Sequence, residues 1–168
     1  MLGDKSKMKF LISLAFCLLS FLNSYTQQSI NFKTFTTTEG LPYGTINQIW
    51  KDKTGFIWLL GENGLHRFDG YEFISFRSKS NDPNSISSSS IYLAECDTNG
   101  VSFFATNTSI SRFNESTRTF TNLIHYSSYL DVAFLARYEN TIWSICENQL
   151  YKITNGGKNI SKTGIQES

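Results

Sequence analysis

Trp50, Trp58 and Trp143 carry rings of the kind that stack on sugar faces, and Arg67, Arg112 and Lys152 carry cations able to hold a carboxylate. Asp52 and Asp97 add two carboxylates 45 residues apart. Hydrolysis by acid and base would need two facing carboxylates. Nucleophilic catalysis would need Ser or Cys beside a His, and a metal would need His and Cys at short fixed intervals. None of these patterns occurs: His66 and His125 are far apart, as are Cys17, Cys96 and Cys146. The residues predict no enzyme, no catalytic group, no metal and no cofactor, and leave recognition as the chemistry on offer.

The spacing itself is the stronger signal. At a shift of 45 residues Ile46 falls on Ile91, Asp52 on Asp97, Gly55 on Gly100, Trp58 on Phe103, Leu65 on Ile110, Arg67 on Arg112, Phe68 on Phe113 and Asp69 on Asn114. Leu41, in the lead-in, falls on Ile86. At a further shift of 40 residues Phe103 falls on Trp143, Ile110 on Leu150 and Arg112 on Lys152. A repeat of roughly 40–45 residues is the size of one propeller blade. Recurrence at one position gives Trp58, Phe103 and Trp143 a packing role between blades, and gives the repeated cation a structural partner, an acid or a turn carbonyl. Asp52 and Asp97 read as turn formers whose carboxylates take backbone N–H groups. Trp50 does not recur and remains the weak candidate for ligand contact.

Each copy reads as four short strands. In the first they are 46–51, 56–60, 65–68 and 71–77, separated by Asp52-Lys53-Thr54-Gly55, Glu62-Asn63-Gly64 and Asp69-Gly70. Asn-Gly and Asp-Gly tolerate the positive φ that tight hairpins demand. The second copy uses 91–95, 101–105, 110–113 and 118–124, and the third 132–138, 141–146, 150–153 and about 158–162. A polar loop from Ser78 to Ser90 joins the first copy to the second. Asn31 to Phe35 stands where the outer strand of an earlier blade would lie. The resulting expectation is an all-β, incomplete propeller of about three four-stranded antiparallel blades: lead-in 27–45, blade 1 at 46–90, blade 2 at 91–131 and an incomplete blade 3 at 132–168. Propellers close with roughly four to eight blades. The expected partners are therefore the remaining blades or other copies of the chain.

Gly40-Leu41, Ile46 to Asp52, Gly55-Phe56-Ile57-Trp58 and Asn63 to Gly70, with Phe73 and Phe76, resemble a two-component regulator propeller repeat. The second copy keeps Asp97, Gly100, Arg112 and Phe113 but has Thr108-Ser109-Ile110 for the Asn-Gly-Leu step, and the third keeps Trp143, Leu150 and Lys152. The resemblance covers about residues 30 to 155 and implies a periplasmic sensor propeller from a hybrid two-component histidine kinase of Bacteroidetes-like bacteria. It further implies an extracellular cue, such as an oligosaccharide, as ligand. No kinase region is legible. A secreted scaffold or adhesion propeller, or a truncated relic, are the alternatives the sequence leaves open.

The remaining features concern location. Lys5, Lys7 and Lys9 precede an apolar run from Phe10 to Leu22, and Ser24 and Thr26 suit cleavage before Gln27, so residues 1–26 read as a signal peptide. As a helix that run spans about 20 Å, short of the bilayer's roughly 30 Å core. A formal charge of +1 gives no footprint for nucleic acid, and no membrane contact is expected beyond the signal segment. Cys96 and Cys146 sit at different points of the repeat, which favours two buried thiols over a disulfide.

Overall fold

A computed structural model describes residues 8–9, 11–14, 30–127 and 132–164. The chain divides into two units, Met1–Thr34 and Phe35–Ser168. In the first, residues 8–9 and 11–14 are helical and 30–34 carry no regular structure. The rest of the expected signal segment, with its cleavage point, lies outside the described residues. Among the described residues no helix is long and apolar enough to cross a membrane.

The second unit holds three four-stranded antiparallel sheets, each with its strands in sequence order. The first contains β1 (Ile46–Lys51), β2 (Ile57–Gly61), β3 (Gly64–Phe68) and β4 (Phe73–Phe76). The second contains β5 (Ile91–Cys96), β6 (Ser102–Thr106), β7 (Ser109–Asn114) and β8 (Thr119–His125). The third contains β9 (Val132–Tyr138), β10 (Thr141–Cys146), β11 (Gln149–Thr154) and β12 (Asn159–Gly164). Strand ends fall within two residues of the sequence expectation. The innermost strands β1, β5 and β9 are neighbours. Asn31–Phe35 is the exception: residues 30–36 form no strand and pair with none of the three sheets. Phe35 instead sets its ring edge-on against Phe68 and Phe73, at 4.9 and 5.8 Å between centroids.

Register carries the repeat into space. Trp58 lies opposite Arg67, Phe103 opposite Arg112 and Trp143 opposite Lys152, so each aromatic–cation pair occupies one cross-strand site on one face of its blade. That face of blade 1 meets blade 2 in a core of Trp58, Leu60, Leu65, Ile86, Ile91, Phe104, Phe113 and Phe120. The same face of blade 2 meets blade 3 through Phe103, Ala105, Ile110, Ile124, Tyr126, Leu135, Ile142 and Ile153. Burying one such large side chain stabilises by about 1.5–3 kcal/mol, so stability accumulates blade by blade.

The turns between first and second strands show how copies diverge. Asp52 Oδ1 accepts from the backbone N–H of Thr54 and Phe56 at 2.9 and 3.0 Å and from the Thr54 hydroxyl at 2.7 Å. Its Oδ2 accepts from the Trp58 indole at 2.7 Å. Asp97 repeats the backbone part, taking the N–H groups of Asn99 and Val101 at 2.8 and 2.9 Å. Phe103 has no N–H to give, and the buried Asp97 Oδ2 is left without a partner. Gly55 and Gly100 close these two turns at φ 100° and 87°. Gly64 is constrained doubly: its φ is 118°, and a Cβ there would lie 2.8 Å from the Phe76 carbonyl oxygen. In blade 3 Glu139 and Asn140 replace the four-residue turn, and the Asn140 side-chain Oδ1 accepts from the Thr98 N–H and hydroxyl.

Two predictions follow from this accounting of polar groups. Asp52→Asn sets an amide against the Trp58 N–H and lowers stability by about 1–3 kcal/mol, whereas Asp97→Asn keeps both backbone bonds, removes an unpartnered carboxylate oxygen and leaves stability unchanged or higher. Denaturant midpoints of the two variants test this, and equal losses would contradict it. His66 is 1% exposed and hydrogen-bonded through Nδ1 to Ser75 Oγ at 2.8 Å. Burial, aided by the Arg77 charge, lowers its pKa from 6.5 to about 4. The unfolded chain therefore binds the proton first, so the stability His66 contributes is complete above pH 6.5 and declines as pH falls towards 4. His66→Gln is expected to flatten the fall of Tm across that window; an unchanged slope would rule the histidine out as its source.

Candidate ligand cleft

A cleft of about 660 Å³ opens where turns of all three blades come together. Blade 1 contributes Asp52, Lys53 and Thr54. Blade 2 contributes Asn99 to Ser102 and Arg112 to Glu115, and blade 3 contributes Asn155, Gly156 and Lys158. These positions converge because the first and third turns of every antiparallel blade lie at the same end of the sheet.

The charged groups in and beside the cleft are mostly committed to the protein, Arg67 lying outside its lining. Arg67, 3% exposed, lies over the Phe56 ring at 4.3 Å and donates to Glu115 Oε1 of blade 2 at 2.6 Å. Arg112 donates from Nη1 to the Gly156 carbonyl of blade 3 at 3.0 Å and from Nη2 to Thr121 Oγ1 at 3.3 Å. Lys53 donates to the Thr98 carbonyl. Each cation thus reaches from its own blade to a turn of the next, an inter-blade latch used twice at equivalent positions. With Asp52 and Glu115 engaged as well, no pair of free carboxylates is left for acid–base work. The side chains of Asn99, Asn155 and Lys158 make no hydrogen bond among the described residues. Amide and ammonium donors beside turn carbonyls suit a ligand rich in hydroxyl or carboxylate oxygens.

The other sequence candidates separate cleanly. Trp58 and Phe103 are buried between blades, and Trp143 is half-buried with the Lys152 ammonium 5.7 Å above its ring. Trp50 packs edge-on against Phe104 at 5.9 Å and lines no part of the cleft. Leu65, Ile110 and Phe113 are core, Leu150 is half-buried, and Asp69 caps its own turn through the N–H groups of Tyr71 and Glu72 at 2.8 and 2.9 Å. Those bonds hold the Asp69 carboxyl below its ordinary pKa. Cys96 and Cys146 are buried thiols outside any disulfide, and burial raises the Cys96 pKa. Among the described residues no cluster of His, Cys, Asp or Glu could hold a metal.

Sequence reading missed Asn99, Asn155 and Lys158, which occupy turns without recurring as a pattern. It also missed Tyr126, whose hydroxyl reaches the Thr106 and Ser109 carbonyls at 2.5 and 2.7 Å across the second turn of blade 2. A second groove, about 430 Å³, lies beside the loop that leads into blade 2 and includes Ser87, Thr108, Asn122 and His125. Ser111 Oγ donates to Asn122 Oδ1 at 2.7 Å there.

No family model matches the chain. Over 73 residues, 42% of this chain and 5% of the other, it is 40% identical to Histidine kinase P4 of Formosa agariphila. Its fold matches the extracellular domain of a hybrid two-component system from B. thetaiotaomicron with a TM-score of 0.63 and 20% identity, covering 79% of this chain and 20% of that one. The extracellular domain of a one-component system from the same organism gives a TM-score of 0.63 and 19% identity over 86% of this chain and 20% of its own. Virginiamycin B lyase from Staphylococcus aureus gives 0.53 and 16%, over 70% of this chain and 40% of the lyase. One architecture therefore serves both a lyase and signalling systems, and fold alone assigns neither role. The chain is a β-propeller segment similar to extracellular domains of bacterial signalling systems, consistent with a two-component regulator propeller, and it spans about a fifth of their length.

Proposed function

We propose that the chain is part of the periplasmic sensor propeller of a two-component receptor and binds an extracellular oligosaccharide in the cleft between the blade turns. The observation that carries this reading is the division of labour in the cleft: Asp52, Glu115 and Arg112 are satisfied within the protein, while Asn99, Asn155 and Lys158 remain available. Such a site binds without reacting. A sugar offers hydroxyls that both donate and accept, matching side-chain amides and turn carbonyls at hydrogen-bond range. Because the lining comes from three blades, a bound ligand favours one relative placement of those blades. A sensor needs that kind of coupling between occupancy and shape.

Isothermal titration of the chain with a panel of neutral and uronic-acid oligosaccharides tests the proposal. One class is expected to bind, with Asn99→Ala and Lys158→Ala each weakening it by about tenfold at unchanged circular dichroism. Binding insensitive to both substitutions, or no binding by any saccharide in the panel, would overturn it.

A further inference from the structure

A third groove, about 250 Å³, lies between the end of β4, loop 78–90 and the start of β8. It shares no lining residue with the cleft between the blade turns. Three cations line it: Arg77 just past β4, Lys79 from the loop and Arg118 from the turn before β8. Among the described residues of the lining, Asp82 is the one carboxylate.

These cations differ from Arg67 and Arg112 in having no inter-blade acceptor to hold. Lys79 and Arg118 make no side-chain hydrogen bond or ion pair among the described residues. Arg77 donates from Nε to the Asn63 carbonyl at 3.0 Å, which orients the guanidinium and leaves both Nη groups unengaged among the described residues. The surplus charge is felt inside blade 1, where after burial the Arg77 charge is the next cause of the lowered His66 pKa.

The groove is held in shape by the loop's own bonds. Ser85 Oγ accepts from the Lys79 N–H at 3.1 Å. The Lys79 and Asp82 carbonyls accept from the Asp82 and Ser85 N–H groups at 3.3 and 3.0 Å, and the Asn84 carbonyl accepts from the Phe120 N–H of β8 at 2.8 Å. A loop fixed in this way has less freedom to lose when a ligand binds. Ile86 and Phe120 are 0% and 3% exposed beneath the groove, with Phe76 half-buried beside them. That apolar floor keeps water from one side of the cations and strengthens their pull on an anion. The volume is below the roughly 300–1,000 Å³ of sites for drug-sized ligands and suits one small charged group. Guanidinium forks match the paired oxygens of such a group, and an ammonium adds a point charge.

We propose that this groove is a second binding site, selective for a small oxyanion: a sulfate, phosphate or carboxylate group held by Arg77, Lys79 and Arg118. The second groove shares Lys79, Asp82, Ser85 and Ile86 with it and adds Thr108 and Asn122, so an anion carried on a sugar meets further polar lining alongside. Every residue of the site comes from blades 1 and 2 and the loop that joins them. It stands whether or not the cleft binds a saccharide.

Amide chemical shifts of the isotope-labelled whole chain, followed during titration with sodium sulfate, test the site, with sodium chloride holding ionic strength constant. Sulfate is expected to shift the signals of Arg77, Lys79, Arg118 and Phe120 saturably. Lys79→Gln and Arg118→Asn are each expected to weaken binding by about tenfold. Both side chains are exposed, and Asn is at ease at the Arg118 φ of 54°, so the fold is kept, which circular dichroism verifies. Asp82→Asn is expected to tighten binding by about threefold, since it removes the opposing charge while its amide oxygen retains the Asn84 N–H. A glucose sulfate ester is titrated alongside, with glucose as control. Tighter binding of the ester places the anion on a sugar, equal affinity assigns the site to the free anion, and either supports it. Shifts that chloride alone reproduces, binding unmoved by Lys79→Gln and Arg118→Asn, or binding weakened by Asp82→Asn would overturn the proposal.

Discussion

Everything in this chain rests on one constraint: a four-stranded blade has two faces and cannot cover either of them alone. Blade 1 solves the problem on one side by sinking Trp58 fully beneath Phe104 and Phe113, at ring separations of 5.0 and 5.2 Å. The indole is fixed at its polar edge by Asp52 and overlain by the Arg67 guanidinium at 5.5 Å. A single side chain thereby joins the first turn, the inter-blade core and the inter-blade latch. Tilting or shrinking that ring would loosen all three, because core packing at crystal-like density leaves no slack to absorb a vacancy.

The later copies keep the scaffold and lose parts of the ornament. Blade 2 retains the turn carboxylate but has Phe103 in place of the indole, so Asp97 keeps its backbone bonds and has one oxygen orphaned. Blade 3 drops the four-residue turn altogether and ties Asn140 to Thr98 instead. In blades 1 and 2 the cation is served by different acceptors at the neighbouring turn, a carboxylate in Glu115 and a carbonyl in Gly156, while in blade 3 Lys152 lies over the Trp143 ring. Long flexible side chains tolerate such exchange; an indole bonded to a fixed carboxylate does not.

The cleft is a by-product of the same architecture. Antiparallel strands of similar length bring first and third turns to one end of each blade, and adjacent blades place those turns side by side. Groups used for latching are consumed by the fold, whereas the side chains of Asn99, Asn155 and Lys158 make no hydrogen bond among the described residues. Repetition marks residues with a structural use: Arg67 and Arg112 recur, and each has an acceptor on the next blade.

Strand positions, blade size and the identity of the cross-strand pairs were legible in the sequence, because a two-residue side-chain period and a spacing of 45 residues encode them directly. The packing role of Trp58 and the structural role of Arg67 were legible for the same reason. Three things required the tertiary structure. Asn31–Phe35 has strand-like composition but no ladder partner within the described sheets, and a strand exists only where another edge receives it. Trp50 does not recur, and its edge-on contact with Phe104 of the next blade is seen only in the tertiary structure. Asn99, Asn155 and Lys158 share no sequence signal at all, since they come together only when three separate blades are stacked. Local periodicity determines what each blade is; contacts between residues more than forty positions apart decide which side chains the fold engages.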